Sequence, residues 1–428
     1  MITEKARFDH KERIGTMRIK SRIFSAILAV LMLGAAACST NPNKSAISPA
    51  TETIANTVSA GTDFCAAIMK DGSLYTWGRN IYGQLGNGTT EDSKSPVKVL
   101  EDAALVSCGS YHAAALKKDG TLWAWGLNVN GQVGNGGISN TGSDYGWDEG
   151  LTSPAKVLDD VVDVVCANSA TTALTKDGSI YVWGAVHDIR YDNMLVSGDV
   201  LTPTKVATDA KKLTGVRSYI NKSGELITWG INNWGESGIT AFGKCIVPEN
   251  VLDDVVYAHT SSECSYAIKS DGTLWGCGKY EPGIFGSDDI EVPSGVYSYQ
   301  ALPSQVFGDV IYAVPNGDFS AFITSDNALY MCGSNRNFCI GNDNGGEEYD
   351  NHGLKYNVVK TPVKVLENAA FASVGDSVVI AVTKDGALYI WGIGPLGGIV
   401  GNYVVPDINN PCQTVPYMLF EAGSILLP

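Results

Sequence analysis

Charge is scarce in this sequence. Asp, Glu, Lys and Arg make up 18% of 428 residues, and histidine occurs five times. There is no CxxC pair and no HExxH motif, so the usual thiol-redox and zinc-hydrolase signatures are missing. Downstream of residue 37 the histidines are His112, His187, His259 and His352, and no two have the spacing of metal ligands on a helix. The apolar run at 23–33 is too short to span a bilayer, which takes about 20 residues. Basic residues are outnumbered, 30 Lys and Arg against 45 Asp and Glu, for a formal charge of −15. Removing 1–37, with seven basic and three acidic residues, leaves −19. So acidic a surface repels phosphate backbones and excludes nucleic acid as a partner. What the chain has in quantity is glycine (48), tyrosine (19) and apolar residues (44%), a composition of short strands and tight turns.

The amino terminus has the layout of an export signal. From Met17 it runs through basic Arg18, Lys20 and Arg22, then the apolar stretch 23–33, then Gly34-Ala35-Ala36-Ala37-Cys38. Small residues before a cysteine resemble a lipobox, in which the thiol of Cys38 is acylated and becomes the new amino terminus. Ala35 stands where such boxes usually carry Leu. The expectation is a bacterial-type lipoprotein with a signal peptide at 1–37, held on the outer side of the cell membrane. The alternative is plain secretion, with cleavage near Ala37. Residues 1–16 are expected to be an extension upstream of the true start. Residues 38–53, rich in Ser, Thr, Asn and Pro, are expected to be a flexible tether.

Beyond the tether, from residue 54 to 428, a unit recurs. A turn falls at Asp71-Gly72, Asp119-Gly120, Asp177-Gly178, Ser223-Gly224, Asp271-Gly272, Asp326-Asn327 and Asp385-Gly386, spaced 46 to 59 residues apart. Six residues after each turn begins stand Trp77, Trp125, Trp183, Trp229, Cys277, Cys332 and Trp391, each followed by Gly. Asp-Gly between apolar runs is a hairpin signal, because Gly adopts positive φ without steric cost. Upstream of most turns lies a Pro-led strand beginning at Pro96, Pro154, Pro203 or Pro362, and Pro suits an edge strand. Each unit is expected to form about four short strands, too small a sheet to stand alone, so the units must stack. The last segment, Pro416-Tyr417-Met418-Leu419-Phe420, matches the Pro-led strand with no hairpin after it, and the first unit lacks that strand. The expectation is a closed ring in which this carboxyl-terminal strand completes the first blade.

These units resemble RCC1-type repeats. Gly83-Gln84-Leu85-Gly86-Asn87-Gly88 and Gly131-Gln132-Val133-Gly134-Asn135-Gly136 carry the glycine-rich motif, and Gly235-Glu236-Ser237-Gly238, Gly283-Ile284-Phe285-Gly286 and Gly398-Ile399-Val400-Gly401 are drifted forms. The unit after Trp183 has lost the motif, and the His of the pattern survives only as His112. The resemblance implies an all-β, seven-bladed β-propeller over 54–428. It implies function weakly, because such propellers serve as a GTPase exchange factor in one setting and a secreted β-lactamase inhibitor in another.

Other signals point away from chemistry. With Cys38 lipidated, nine cysteines remain, so complete internal pairing is impossible, and several occupy repeat-equivalent positions suited to buried free thiols. Gly392-Ile393-Gly394-Pro395-Leu396-Gly397 fits a dinucleotide pattern, yet it follows a repeat strand and precedes no helix. The acidic stretch 342–348 lacks EF-hand spacing. No metal, cofactor or catalytic residue is expected. The Trp positions read as blade packing, not as a sugar platform.

Three long insertions share one topological place, after the glycine-rich segment and before the next Pro-led strand: about 137–153, 287–302 and 343–360. Each mixes acids with aromatics. Candidate partner-binding residues are Asp144, Tyr145, Trp147 and Asp148; Tyr297 and Tyr299; and Glu348, Tyr349 and Tyr356. The leading expectation is a monomeric module that binds another extracytoplasmic protein, as inhibitor or scaffold. A carbohydrate or cell-wall binder is the second reading and an enzyme of unknown class the third. For the anchor, wild-type cells grown with labelled palmitate should label the chain and Cys38→Ser should abolish the label; label persisting in the variant rules the lipobox out.

Overall fold

The computed structural model describes residues 56–138, 150–191, 194–239, 243–279, 283–285, 299–307, 309–335, 339–341, 346–349, 355–393, 399–400, 403–404 and 412–427. The signal segment, Cys38 and the tether lie outside them. Seven antiparallel sheets follow in chain order: blades 1 (58–100), 2 (103–158), 3 (161–207), 4 (210–252), 5 (255–307), 6 (310–366) and 7 (369–420). They form the seven-bladed β-propeller expected from the repeat. In blade 1 the inner strand Val58–Ala60 pairs with Phe64–Ile68, then Leu74–Gly78, then the outer strand Ser93–Leu100.

The hairpin turns form as the sequence requires. Gly72 N–H donates to Met69 C=O at 2.8 Å with Gly72 at φ 85°, and the Asp71 carboxylate accepts from Ser73 N–H. In blade 6 Asn327 takes the same place at φ 65°, within the tolerance of Asn for left-handed backbone.

Packing between blades explains the Trp positions. Trp77, Trp125, Trp183, Trp229 and Trp391 are all buried, each within a blade-to-blade core. The Trp125 indole N–H donates to Gln84 C=O of blade 1 at 2.9 Å, Trp183 to Gln132 C=O of blade 2 at 3.0 Å, and Trp391 to Cys339 C=O of blade 6 at 2.7 Å. Gly86 sits against this ring: a Cβ there would come within 2.7 Å of the Trp125 indole. Where the Trp is absent, other donors serve the same carbonyl. Ser265 Oγ donates to Glu236 C=O at 2.7 Å, and Tyr266 O–H to Ile284 C=O at 2.6 Å.

The second strands are packed with small residues, Ala113, Ala114 and Ala115 being fully buried, which lets adjacent sheets approach closely. Seven described cysteines, Cys65, Cys108, Cys166, Cys264, Cys277, Cys332 and Cys339, are buried thiols outside any disulfide, and burial raises the Cys65, Cys166 and Cys264 thiols to about 12.

The ring closes differently from the sequence expectation. Cys412–Phe420 pairs with Leu388–Ile393 as the outer strand of blade 7, and blade 1 already has Ser93–Leu100. Each Pro-led strand thus belongs to the hairpin before it, because the chain returns along that hairpin's free edge. The tail after Phe420 closes the ring instead. Ile425 forms a bridge with Met69, Leu426 N–H donates to Ile68 C=O at 3.0 Å, and Lys70 N–H donates to Ser424 C=O at 2.9 Å. It thereby extends the short inner strand of blade 1.

Trp125→Phe keeps the apolar bulk, removes the indole donor and leaves Gln84 C=O unpaired in the core. The expected cost is about 1–3 kcal/mol in urea denaturation. Trp123→Phe, at a half-exposed ring of the same strand, should cost less.

Candidate functional site

Two kinds of connection emerge on one face of the ring. In several blades the residue after the Trp-Gly or Cys-Gly pair bonds back to the turn between inner and second strands: Arg79 N–H to Asp63 C=O, Leu127 N–H to Tyr111 C=O, Ala185 N–H to Ser169 C=O and Lys279 N–H to Glu263 C=O. The glycine-rich loops therefore open beside these inner turns. The Asp-Gly hairpins lie at the opposite face, where Lys118 N–H meets Asp102 C=O.

Of the sequence-chosen residues, Asp144, Tyr145, Trp147, Asp148 and Tyr297 lie outside the described residues. Tyr299 opens the outer strand of blade 5, in register with Lys279. The third insertion adds a fifth strand to blade 6: Gly346–Tyr349 pairs with Lys355–Leu366, placing Glu348 opposite Tyr356 and Tyr349 opposite Lys355. The structure thus brings three of these residues onto one two-stranded outgrowth and places Tyr299 on another blade. The Gly392 motif runs out of its strand at Ile393, and 394–397 lie outside the described residues.

The same face carries the mouth of the central channel, a cavity of about 210 Å³. Its wall is built by the inner strands, whose repeat register sets Asp163, Lys212, Tyr257, Tyr312 and Phe371 side by side in consecutive blades. Rings run on from one to the next, with Tyr257 to Tyr312 at 5.2 Å and Tyr312 to Phe371 at 5.2 Å, and the Lys212 ammonium lies 5.3 Å from the Tyr257 ring centre.

Each wall group also fastens its neighbour. Tyr257 O–H donates to Ala313 C=O at 3.1 Å, Tyr312 O–H to Ala372 C=O at 2.7 Å, and the Asp163 carboxylate accepts from Leu213 N–H at 3.2 Å. On the remaining arc Cys108 N–H donates to Ser59 Oγ, Cys166 N–H to Ser107 Oγ and Ala60 N–H to Ser373 Oγ.

Burial sets the charges of this wall. It raises Asp163 to about 6, against a partial lowering by Lys212, and it depresses Lys212. His259 and the core residue His112 are pushed down to about 4 by the same desolvation, which keeps both rings neutral near pH 7. Among the described residues no group of three His, Cys, Asp or Glu could hold a metal ion.

A second opening adjoins the first. A cleft of about 200 Å³ between blades 3 and 4 shares Asn168, Ser261 and Ser262 with the channel mouth and is walled by Val182, Trp183, Arg217 and Trp229. It lies where the repeat has lost its glycine-rich loop. In its stead Ile180–Tyr191 and Met194–Ala207 continue as one long hairpin, with Val186 opposite Gly198 and Ile189 opposite Val196.

Sequence reasoning missed the cleft, the Asp163–Lys212 neighbours and the sixth copy of the loop motif at Cys339-Ile340-Gly341. The loop's signal was Gly341 in register, since its Cβ position lies 3.0 Å from the Trp391 indole. The channel wall's signal was the third residue of each inner strand.

Comparison with known proteins matches models of the "Regulator of chromosome condensation (RCC1) repeat" at residues 71–116 and 119–174, and at 56–84 and 104–132. The human E3 ubiquitin-protein ligase HERC2 is 33% identical over 132 residues, which are 30% of this chain and 3% of that ligase. The ultraviolet-B receptor UVR8 of Arabidopsis thaliana is 24% identical over 364 residues, 79% of this chain and 77% of the receptor. Among solved structures, yeast RCC1 (Prp20) bound to Kap60 superposes with a TM-score of 0.67 at 21% identity, covering 87% of this chain and 86% of that one.

Between about pH 4 and 6 the folded chain holds a proton on Asp163 that the unfolded chain has released, so this group's contribution to stability falls as pH rises through that window. His112 and His259 act in the opposite sense, their contribution being lost as pH falls from 6.5 towards 4. Asp163→Asn removes only the downward part. Urea midpoints should therefore climb more steeply with pH in the variant than in wild type, and equal slopes would place the titration of Asp163 elsewhere.

Proposed function

We propose that this chain, a seven-bladed propeller of RCC1 repeats, is a protein-binding module that works outside the cytoplasm on a lipid anchor at Cys38. The observation that carries the reading is convergence. The channel mouth, the interblade cleft and the outgrowth formed by Gly346–Tyr349 on blade 6 open on one face, while the other face carries the short hairpin turns. A face combining irregular loops, two cavities and an added strand edge offers shape; the opposite face offers little beyond repetition.

The solved relative is itself a complex, yeast Prp20 with Kap60, and supports the view that this scaffold serves protein recognition. Its partner belongs to that protein. Here the export signal and a charge of −15 favour an extracytoplasmic partner with a basic contact surface, steered in by the acidic residues of the insertions. Inhibition or scaffolding of an exported enzyme is the sharper form of the proposal.

Glycan binding, the other reading, would use exposed rings. The channel rings Tyr257, Tyr312 and Phe371 do not serve that end, since they are at most 9% exposed and both Tyr hydroxyls are engaged by backbone. That reading rests on insertion residues such as Trp147.

The full chain in detergent, used as bait against a membrane-surface extract, should retain a protein. A chain with 140–148, 288–297 and 343–357 replaced by Gly and Ser should lose it. Retention of envelope glycan alone by the wild-type chain would overturn the protein-binding reading.

A further inference from the structure

The cleft between blades 3 and 4 has a defined missing occupant. At five of the seven junctions the second residue of a glycine-rich loop presents its carbonyl to the next blade: Gln84 to Trp125, Gln132 to Trp183, Glu236 to Ser265, Ile284 to the Cys332 thiol and Cys339 to Trp391. At the 7–1 junction that loop is described only at 399–400. At the 3–4 junction the chain provides no loop at all, because the hairpin 180–207 takes its place.

The register shows which element is missing: Val186, Ile189 and Val196 of the hairpin cluster with Trp229, and the cleft is the space they leave unfilled. In blade 1 the Thr76 hydroxyl bonds Leu85 C=O of the loop, while the next blade's Trp125 bonds Gln84 C=O. Val182 and Trp229 occupy the same two positions, one residue before Trp183 and at the Trp of blade 4, and both line the cleft. No hydrogen-bond acceptor for the Trp229 indole stands within reach among the described residues, although its counterparts at 125, 183 and 391 each have one.

Charge narrows the occupant. Arg217 is the one charged side chain among the lining residues of the cleft, and its one hydrogen bond among the described residues is long, 3.5 Å to Ile231 C=O. The neighbouring Glu236 accepts from Trp234 N–H at 2.8 Å through Oε2 and acts on Arg217 through space, with no ion pair between the two among the described residues. Desolvation already weighs on the guanidinium. A half-buried cation with a poor partner, inside a protein whose net charge is strongly negative, selects an anion.

We propose that this cleft docks a tight glycine turn of a protein partner, which places a backbone carbonyl on the Trp229 indole N–H and an acidic side chain on the Arg217 guanidinium. This deepens the protein-binding reading and rests on it. The partner supplies in trans the element that five other junctions hold in cis. A volume of about 200 Å³ is the room of about six waters, enough for a turn tip and one carboxylate and too small for a folded strand pair.

The probe is a backbone-cyclised peptide presenting Gly-Asp-Leu-Gly, with Gly-Asn-Leu-Gly as its uncharged counterpart, titrated calorimetrically into the full chain. The Asp peptide should bind. The Asn peptide, and the Asp peptide on Arg217→Gln, should each bind at least about tenfold more weakly. Ala185→Phe, which fills the cleft from its wall and is checked for folding by its melting temperature, should abolish binding. Failure of the Asp peptide to bind, or binding unchanged in both variants, overturns the proposal. A protein partner retained equally by wild type and both variants overturns the cleft alone and leaves the protein-binding reading standing. A wild-type chain that binds the peptide but retains no protein overturns that broader reading and keeps the cleft as a peptide site.

Discussion

A single backbone carbonyl on each glycine-rich loop governs how one blade meets the next. It lies in a desolvated seam and must be paired, since a buried unpaired carbonyl costs about 1–3 kcal/mol. The following blade answers with whatever donor its sequence provides: the indole of Trp125, Trp183 or Trp391, the hydroxyl of Ser265, the thiol of Cys332. Residue identity drifts while the bond persists. That is why the motif can fade from Gly-Gln-Leu-Gly to Cys339-Ile340-Gly341 without loss of the propeller. Nearer the axis a second circle of bonds, from Ser59 through Asp163, Tyr257 and Tyr312 to Ser373, repeats the logic on the inner strands.

Against such regularity the 3–4 junction stands out as the place where the carbonyl is not supplied. The same hairpin that removes the loop lines a cleft on the face where the channel opens. One departure from the repeat thus creates both a vacancy between blades and a wall beside it. Neighbouring departures, the fifth strand of blade 6 and the Asp163–Lys212 pair in the channel, lie on that face or in the channel that opens onto it. Function in a repeat protein is expected where the repeat is broken, and here the breaks are gathered on one side.

The sequence disclosed what is local. Hairpin turns, the seven Trp-equivalent positions and the buried free thiols were legible because their causes act within a few residues. Which blade owns a Pro-led strand was not, because Pro416–Phe420 has equal sequence logic as the end of one unit or the start of another, and only pairing with Leu388–Ile393 decides it. The lost motif after Trp183 looked like decay. The long hairpin it concealed could have been suspected from the length of 180–207, uninterrupted by a Pro-led restart until Pro203. Of the partner-site candidates, Glu348, Tyr349 and Tyr356 share one outgrowth and Tyr299 stands apart on blade 5. Arg217 and Trp229 escaped notice, since their significance depends on an element that is absent.

The closing tail carries one more implication. Ile68 receives Thr57 at its N–H and Leu426 at its carbonyl, so the first and last segments of the propeller end on the same residue. In space the ring has no start. Joining 426 to 57 by a short linker and opening the chain at a turn on another blade would give a circularly permuted protein with every blade intact. The position of the termini then becomes a free variable, and the tether could leave from any point on the circumference.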